Sequence, residues 1–260
     1  MSNNIHPMAN VSPQASLGEN NQIGAGVSID AGVALGDNNV LMTGVILKEG
    51  TRLGNENTLH EYAVIGGSPQ DLGFNQDKQS YVELGDGNVL REYVTVHRAS
   101  QEQATTRLGN HNYLMTQVHL GHDCDLGCHI IIAPSTGLGG FVEVADKAFI
   151  SGGVMVHQFV HIGTFAMIGG NAKITQNVLP YMITDGVPAL VRGLNLVGLK
   201  RGGFTRDDIK LLKSAYQLVH RSGLPQETII QRLLELNHGL TDHLAEFISS
   251  AKRSFHREKS

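Results

Sequence analysis

The 260-residue chain has no tryptophan, only two cysteines and only 17% charged residues, and these scarcities exclude several classes of protein. Cys124 and Cys128 are too few to cross-link a chain of this length, and they lack the second Cys or His pair of a zinc site. No apolar run approaches the ~18 residues of a membrane span, and residues 1–14 lack a signal-peptide pattern. These absences predict a soluble cytoplasmic protein.

What the sequence has in abundance is glycine, with 31 residues, and a strict period of six. An aliphatic residue recurs at every sixth position, and glycine often follows it. Neither the 3.6 period of a helix nor the 2.0 period of a simple strand produces this spacing, which is typical of a β-helix. The periodic positions are Leu17, Ile23, Ile29, Leu35, Leu41, Leu47, Leu53, Leu59 and Ile65, then Leu84, Leu90 and Val96, then Leu108, Leu114, Leu120, Leu126, Ile132, Leu138, Val144, Ile150, Val156, Ile162, Ile168 and Ile174.

Each hexapeptide is interpreted as a short strand and a tight turn, so that about 18 residues complete one triangular coil whose aliphatic side chains stack inside. The scarcity of aromatic residues fits such a narrow core. Glycine and asparagine are expected at corners that need positive φ, as in Asp37-Asn38-Asn39 and Gly54-Asn55. The period is interrupted near 67–82 and 99–107. Long excursions from a rigid scaffold often carry binding residues, although tolerated surface insertions are the alternative.

Beyond Pro180 the pattern becomes helical. Thr205 with Asp208 resembles a capping box, Pro225 begins a second helix and Thr241 is expected to cap a third. Residues 200–260 are net positive by four charges, whereas residues 1–199 are net negative by eight. A basic appendage suggests an anionic partner, but this excess is too small to indicate nucleic acid.

The coil length predicts a column of polar residues. Steps of 18 residues align His122, Gly140 and Gln158, with neighbours about 4.8 Å apart. A histidine followed by Asp123 is a plausible general base, since a carboxylate fixes the tautomer and favours the imidazolium. Gly140 would bring a bare backbone N–H to a developing oxyanion. The alternative is an ordinary polar ladder on the surface of a β-helix.

A metal site is the less favoured use of the histidines. His119 with His122, or His157 with His161, offer imidazole ligands in principle. Neither pair has the His-x4-His spacing of the β-helix carbonic anhydrases, so we expect no metal.

Several motifs then carry a resemblance that spans nearly the whole chain. They are Gln70-Asp71-Leu72, Arg91-Glu92, Val96-His97-Arg98, the segment 119–124, Val156-His157-Gln158-Phe159, Gly198-Leu199-Lys200-Arg201, Gly203-Phe204, Ala215-Tyr216 and Arg221-Ser222-Gly223. Together they resemble the UDP-N-acetylglucosamine O-acyltransferase family, which begins lipid A biosynthesis in Gram-negative bacteria. Hexapeptide repeats alone are a weak signal, but their combination with this tail is specific.

The resemblance implies an all-β left-handed parallel β-helix over residues 1–190 and a C-terminal α-helical domain over 191–260. It further implies a homotrimer with active sites in the clefts between subunits. A 3-hydroxyacyl group would pass from the thioester of acyl carrier protein to the 3-hydroxyl of the sugar nucleotide, without a further cofactor.

The same resemblance assigns roles to individual residues. His122 would be the general base, Asp123 its orienting partner and Gly140 the oxyanion donor, in agreement with the column. Gly170 matches a position that limits acyl-chain length in the family, and as glycine it leaves the groove open. The residues expected along the acceptor and its nucleotide are Gln70, Asp71, His119, Phe141, His157, Gln158, Asn195 and Arg201.

Three positions depart from the family pattern. Phe141 stands where a histidine is usual, Gly73 where a lysine is usual, and Val197 near the place of a glutamate. One interpretation is drift within the family; the other is the same chemistry on an altered sugar or nucleotide. A competing hypothesis is N-acylation of a 3-amino or other nucleotide-linked amino sugar. A non-enzymatic scaffold or ice-binding solenoid is disfavoured, because threonines are scattered and histidines clustered.

Overall fold

Very short strands account for most of the chain, as the period of six predicts. The computed structural model describes residues 2–251 and 253–258. In chain order the strands are β1 (Asn4–Ile5), β2 (Asn10–Val11), β3 (Ser16–Leu17), β4 (Gln22–Ile23), β5 (Ser28–Ile29), β6 (Ala34–Leu35), β7 (Val40–Leu41), β8 (Ile46–Leu47), β9 (Thr51–Leu53), β10 (Thr58–Leu59), β11 (Val64–Gly67), β12 (Tyr81–Leu84), β13 (Val89–Leu90), β14 (Thr95–His97), β15 (Thr105–Leu108), β16 (Tyr113–Leu114), β17 (His119–Leu120), β18 (Asp125–Leu126), β19 (Ile131–Ile132), β20 (Gly137–Leu138), β21 (Glu143–Val144), β22 (Phe149–Ile150), β23 (Met155–Val156), β24 (His161–Ile162), β25 (Met167–Ile168), β26 (Lys173–Ile174), β27 (Met182–Asp185) and β28 (Leu190–Leu194).

Three sheets run along the β-helix, because each strand pairs in parallel with the equivalent strand of the next coil. The first sheet begins with β1 and β4 and ends with β27 and β28, the second runs from β2 to β26, and the third runs from β3 to β24. Together they form the predicted left-handed parallel β-helix. We call the turn that leads from a second-sheet strand to a third-sheet strand the second corner.

The periodic aliphatic residues form the core. All of them are buried except Leu17, which is partly buried against the end of the same cluster. The small residue that comes two positions earlier also points inward, as Val118 and Cys124 do. Since the coils bury these side chains only by stacking, each coil stabilises its neighbours.

A ladder of buried asparagines runs through the first half of the β-helix. Its members are Asn21, Asn39, Asn57, Asn88 and Asn112. In each coil the side-chain oxygen accepts a hydrogen bond from the backbone N–H of the next asparagine, at 2.8 to 2.9 Å. The ladder satisfies backbone donors that the turns would otherwise leave buried and unpaired.

The expectation about glycine corners is only partly correct. Asn38 has the expected positive φ of 59°, but Gly54 does not, and the positive value falls on Glu56 at 58°. Gly54 is needed for a different reason, since a Cβ there would lie 2.9 Å from the carbonyl oxygen of Gly85 in the next coil. Glycine after the core aliphatic therefore permits close approach of the coils, and the left-handed residue comes two positions later.

Both insertions leave the β-helix at the second corner. The first comprises residues 68–80, between β11 and β12, and the second comprises residues 98–104, between β14 and β15. They overlap the interruptions expected near 67–82 and 99–107. They lengthen the spacing between stacked residues from 18 to 31 and then to 24. Because they share this corner with the turns of later coils, they lie beside the segment that contains His122.

An antiparallel pair and four helices complete the chain. The pair is β27 with β28, and the helices are α1 (Leu196–Arg201), α2 (Arg206–Arg221), α3 (Gln226–Glu235) and α4 (Gly239–Ser250). The capping box before α2 is confirmed, since the Asp208 N–H donates to Thr205 Oγ1 at 3.1 Å and the Thr205 N–H donates to Asp208 Oδ2 at 2.8 Å. None of these helices, of which α2 is the longest with 16 residues, is long and apolar enough to cross a bilayer.

Two details of the helical region differ from expectation. Thr241 does not cap the last helix, because α4 begins at Gly239 and His238 is the N-cap, its Nδ1 accepting a hydrogen bond from the Leu240 N–H. Thr241 is instead buried in the first turn. Helix α1 was not predicted, because its six residues are too few to show a period.

The helices pack on the C-terminal end of the β-helix through two apolar clusters, of which the smaller contains Tyr181, Leu199 and Leu212. Leu179, Met182 and Val191 meet Tyr216 and Phe247 of the helices in the larger one. Strand β28 crosses the boundary expected at residue 190, so the division into two domains stays a prediction.

Candidate active site

A cleft of about 390 Å³ opens where the second sheet meets the second corner. It contains five residues that the sequence analysis predicted, namely Gln70, His119, His122, Gly140 and Gln158. The other lining residues are His97, Gly121, Gly137, Leu138, Gly139, Met155 and Val156. Gln70 comes from the first insertion, and in all, five separate segments of the chain converge on this cleft.

His122 is held by the carboxylate of the residue that follows it. His122 Nδ1 and Asp123 Oδ2 are 2.7 Å apart, and the two side chains are only 16% and 8% exposed. An ionised carboxylate accepts hydrogen bonds and cannot donate one, so Nδ1 carries the proton and Nε2 is left as an acceptor. Within residues 2–251 and 253–258, no side chain or backbone group binds Nε2. This is the arrangement that a histidine general base requires.

Asp123 is fixed in turn by two groups of the preceding coil. The Ser100 N–H in the second insertion donates to Asp123 Oδ2 at 2.9 Å, and the Asp123 N–H donates to Thr106 Oγ1 at 2.8 Å. Asp123 also has the left-handed φ of 59°, which an aspartate tolerates better than most residues. The carboxylate therefore has one defined position under the His122 ring.

Gly140 lies directly beneath the imidazole of His122. A Cβ on Gly140 would lie 2.5 Å from His122 Cε1 and 2.7 Å from Nε2, so a larger residue would displace the ring. In the described part of the chain, the Gly140 N–H donates no hydrogen bond, whereas the N–H groups of Gly121 and Gly139 donate to Leu138 and Val156. An unpaired backbone donor beside a general base is suited to stabilise a developing oxyanion.

Two further imidazoles lie in the cleft, and both are kept neutral. Their rings pack edge to face, with the centroids of His97 and His119 4.7 Å apart. Burial, helped by the neighbouring His119 and His122, lowers the pKa of His97 to about 4. Burial and His122 also lower the pKa of His119, whose Nδ1 lies 2.7 Å from Thr95 Oγ1. Neutral imidazoles can bind polar groups of a ligand without adding positive charge beside the base.

Cys124 follows this pair in sequence but is not a second nucleophile. Its side chain points into the core, where Sγ donates to the Gly139 carbonyl at 3.2 Å. Burial raises the pKa of the thiol to about 12. A protonated thiol enclosed in this way does not react.

Phe141 packs against the predicted base without lining the cleft. Its ring meets the His122 ring edge-on at 5.3 Å and stacks on Phe159 at 4.8 Å. Arg253, near the C-terminus, lies over the Phe159 ring at 5.9 Å. The position that departs from the family histidine is therefore part of an apolar wall on one side of His122.

Several predicted residues lie outside the cleft in this chain. His157 faces a separate pocket that contains Arg253, and Asp71 is exposed and accepts a hydrogen bond from the Gly73 N–H at 2.9 Å. Asn195 is buried. Its side-chain oxygen caps α1 by accepting a hydrogen bond from the Gly198 N–H at 3.0 Å, and its NH2 group donates to the Phe165 carbonyl at 2.9 Å. Arg201 is exposed at the end of α1.

Gly170 lies at a different corner, between the first and second sheets. A Cβ at Gly170 would have no contact closer than the Gly152 carbonyl oxygen at 3.6 Å. A small side chain would therefore fit at this position, and glycine leaves the space beside it open. Such open space is what the proposed role in limiting acyl-chain length would require.

The sequence analysis missed His97 and Met155. Val96 pairs with Leu120 in the next coil, so the residue after Val96 stacks beside Gly121, in the turn that contains His122. Counting back by 24 residues instead of 18 would therefore have found His97. Met155 aligns with Gly137 and His119 along the outer face of the second sheet, which steps of 18 residues from His119 also predict.

One group of side chains outside the cleft has the donor atoms of a metal site. The ligand atoms of His60, Glu61 and Glu92 lie within 4.8 Å of one another, and no other such group occurs in the described residues. Glu92 Oε1 already accepts a hydrogen bond from Arg91 at 2.7 Å. A cation there would share the Glu92 carboxylate with this arginine.

Comparison with known proteins identifies the family. Residues 177–256 match the family model described as UDP N-acetylglucosamine O-acyltransferase, domain 2. The chain is 37% identical over 203 residues to the acyl-[acyl-carrier-protein]–UDP-N-acetylglucosamine O-acyltransferase of Burkholderia mallei, covering 75% of this chain and 77% of that protein. The chain belongs to the UDP-N-acetylglucosamine O-acyltransferase family.

Other members of the family agree with this assignment. A Synechocystis relative of the same description is 44% identical over 171 residues, which are 66% of this chain and 62% of that protein. The crystal structure of UDP-N-acetylglucosamine acyltransferase from Bacteroides fragilis superposes with a TM-score of 0.94 at 36% identity, covering 97% of this chain and 100% of that one. The Francisella novicida enzyme gives 0.96 at 32% identity, covering 98% and 95%. The resemblance and the fold class predicted from the sequence are therefore confirmed.

Proposed function

We propose that this chain transfers a 3-hydroxyacyl group from the thioester of acyl carrier protein to the 3-hydroxyl of UDP-N-acetylglucosamine, in lipid A biosynthesis. The proposal depends on one observation: His122 Nε2, which binds no other group of the described residues, and the Gly140 N–H, which donates to none, lie in the same cleft. The printed descriptions of the relatives supply the substrate class.

The mechanism follows from the positions of these groups. His122 Nε2 accepts the proton of the sugar hydroxyl as its oxygen attacks the thioester carbonyl carbon. The Gly140 N–H donates to the oxyanion of the tetrahedral intermediate. When the intermediate collapses, the C–S bond breaks and the imidazolium returns the proton to the leaving thiolate. Asp123 stabilises the imidazolium throughout and keeps its proton on Nδ1. No cofactor is needed in this mechanism, because the thioester is already activated.

We propose that the acceptor lies along Gln70, His119 and Gln158, which line the cleft with His122. Asp71 is on the exposed tip of the same insertion, where its carboxylate can reach sugar hydroxyls. Because both polar ends of the Asn195 amide bind within the chain, Asn195 acts on the nucleotide end through α1, whose last turn presents Arg201.

A homotrimer completes the site in this proposal. Arg201 and His157 do not line the cleft in their own chain, so a neighbouring subunit would supply them. Large apolar side chains are exposed beside the cleft and on the first insertion, as a subunit interface requires: Met155 is 55% exposed, Phe159 49% and Leu72 fully. We place the enzyme in the cytoplasm, where its two cysteines, both free in the structure, stay reduced.

The direct test combines purified protein, 3-hydroxyacyl-acyl carrier protein and UDP-N-acetylglucosamine, with the acylated nucleotide detected by mass spectrometry. The wild type is expected to form this product, whereas His122→Ala is expected to lose at least a hundredfold in kcat. His111→Ala removes an exposed imidazole at another corner and should retain full activity. Absence of an acylated nucleotide from the wild-type reaction would exclude the proposal.

One observation favours a second candidate, N-acylation of a 3-amino sugar nucleotide. Phe141 puts an apolar ring against His122 where the family has a hydrogen-bonding histidine. If this wall is adapted to a different acceptor, Phe141→His should shift the preference between the amino sugar and UDP-N-acetylglucosamine about five- to hundredfold toward the latter. The measurement is kcat/KM for both acceptors. Efficient wild-type turnover of UDP-N-acetylglucosamine that Phe141→His leaves unchanged would eliminate this candidate.

A further inference from the structure

The first insertion projects from the β-helix with little packing beneath it. A cleft of about 550 Å³ separates it from the earlier coils, lined on one side by Ser68 and residues 76–80 and on the other by Lys48 and Gly50. Most of its side chains are exposed. Pro69 is buried next to Gln70, and the rest of the loop must be held mainly by hydrogen bonds.

Arg98 is the residue that holds most of this loop. Its guanidinium donates to the Lys78 carbonyl at 2.9 Å and to the Gln76 carbonyl at 3.3 Å, and it lies over the Phe74 ring at 5.2 Å. The Arg98 N–H also donates to the Gly67 carbonyl, at the point where the loop begins. One half-buried side chain thus joins three positions of the loop to strand β14.

The second insertion has supports of its own. Ser80 Oγ donates to the Ala99 carbonyl at 2.6 Å, and Lys78 Nζ donates to the Ser100 carbonyl at 3.2 Å. These bonds hold the backbone that donates to Asp123 Oδ2. The Ala99 N–H also donates to the Tyr81 carbonyl of β12 at 3.3 Å, so the second insertion keeps a bond outside the first insertion when the Arg98 side chain is removed.

We propose that Arg98 is a positioning residue for the acceptor, which fixes the first insertion so that Gln70 and Asp71 meet the sugar nucleotide. This inference rests on the proposed acyl transfer to a sugar nucleotide. Among the described residues, the contacts of the Arg98 guanidinium are all with the loop, so its removal affects acceptor binding and leaves the His122–Asp123 pair in place.

The test compares Arg98→Ala, Arg98→Lys and a control, Arg107→Ala, which removes a nearby exposed arginine that lies 3.7 Å from Glu83. Hydrogen–deuterium exchange of residues 68–80 reports loop order, with residues 113–132 as the internal reference. Steady-state kinetics with UDP-N-acetylglucosamine and acyl carrier protein donor give both KM values and kcat.

Arg98→Ala is expected to speed exchange in residues 68–80 alone and to raise the acceptor KM about tenfold, with kcat and donor KM within about twofold. Arg98→Lys keeps the charge but not the forked donor, and should give intermediate values for both. The control should match the wild type.

Unchanged exchange of the loop in Arg98→Ala would overturn the inference, whatever the kinetics. A loosened loop with an unchanged acceptor KM, or a loss confined to kcat, would also overturn it. If the wild type does not acylate the nucleotide at all, the proposed function fails separately. In that case exchange of the loop still decides whether Arg98 positions it.

Discussion

At the scale of single residues, the three histidines of the cleft differ in what holds each ring. His122 has a carboxylate partner, His119 a threonine hydroxyl, and His97 mainly the edge of another ring. Of the three, only His122 combines a proton fixed on Nδ1 with an unbound Nε2, which supports its proposed role as the base. The others remain neutral because burial opposes their protonation.

His97 should make the protein sensitive to acid. Its pKa is about 4 in the folded protein and about 6.5 in an unfolded chain, so between these values the unfolded chain binds more protons. The contribution of neutral, buried His97 to the free energy of unfolding is therefore complete above pH 6.5 and is lost as the pH falls toward 4. Because the ring is only partly buried, solvent screening limits the effect to roughly 1 kcal/mol.

We therefore expect His97→Asn to lose less stability than the wild type between pH 7 and pH 5. Urea denaturation at the two pH values measures the difference, with His111→Asn, an exposed histidine, as the control. An identical loss of unfolding free energy in His97→Asn and the wild type would contradict the assigned cause.

At the scale of elements, the repeating strands were the part of the fold most completely predicted from the sequence. The hexapeptide period specifies the strands and the core, since each aliphatic must stack on its equivalent in the next coil. His122, Gly140 and Gln158 were aligned by the same arithmetic. His97 was missed because the second insertion changes the local spacing to 24.

Features without a period required the structure. Helix α1 depends on one cap, the Asn195 amide, and nothing in its six residues shows an amphipathic pattern. The Ser100 N–H that holds Asp123 is a backbone group in a loop, so no side-chain pattern indicates it. The order of the first insertion likewise depends on guanidinium bonds to backbone carbonyls, which any loop sequence could offer.

The asparagine ladder gives a prediction about the β-helix itself. Asn57→Ala removes the acceptor of the buried Asn88 N–H and the donor to Asn39 Oδ1. A buried donor without a partner costs about 1–3 kcal/mol, so the free energy of unfolding should fall by about this amount. Chemical denaturation measures it.

Asn55→Ala is the matched control, because Asn55 belongs to an exposed ladder and accepts from the Asp37 N–H at 2.8 Å. Water can replace that partner, so the control should lose less than half as much stability. Equal losses of unfolding free energy in the two variants would show that burial does not determine how much each asparagine stabilises the β-helix.

At the scale of the whole molecule, charge is divided between the two kinds of structure. The β-helix is net acidic, whereas the helical region has a cluster of exposed basic side chains on α1 and α2, which we call the basic face: Lys200, Arg201, Arg206, Lys210 and Lys213. Within residues 2–251 and 253–258, none of the five is in a salt bridge. Unpaired cations at one end of an acidic molecule attract an acidic partner and orient its approach.

The basic face therefore predicts how the donor protein is recruited. An acyl carrier protein of acidic character would be steered toward α2, so reversing Arg206 and Lys210 to Glu should slow its association. We expect the KM for the acyl donor to rise about tenfold at low ionic strength, with kcat nearly unchanged, and the difference to shrink as salt screens the charges. Donor kinetics measured over a range of salt test this.

The single variants Lys210→Glu and Arg232→Glu form a matched pair, since both reverse an exposed charge on a helix but Arg232 lies on α3 beside Glu235. Equal donor KM values for this pair would show that net charge, and not the basic face, governs association.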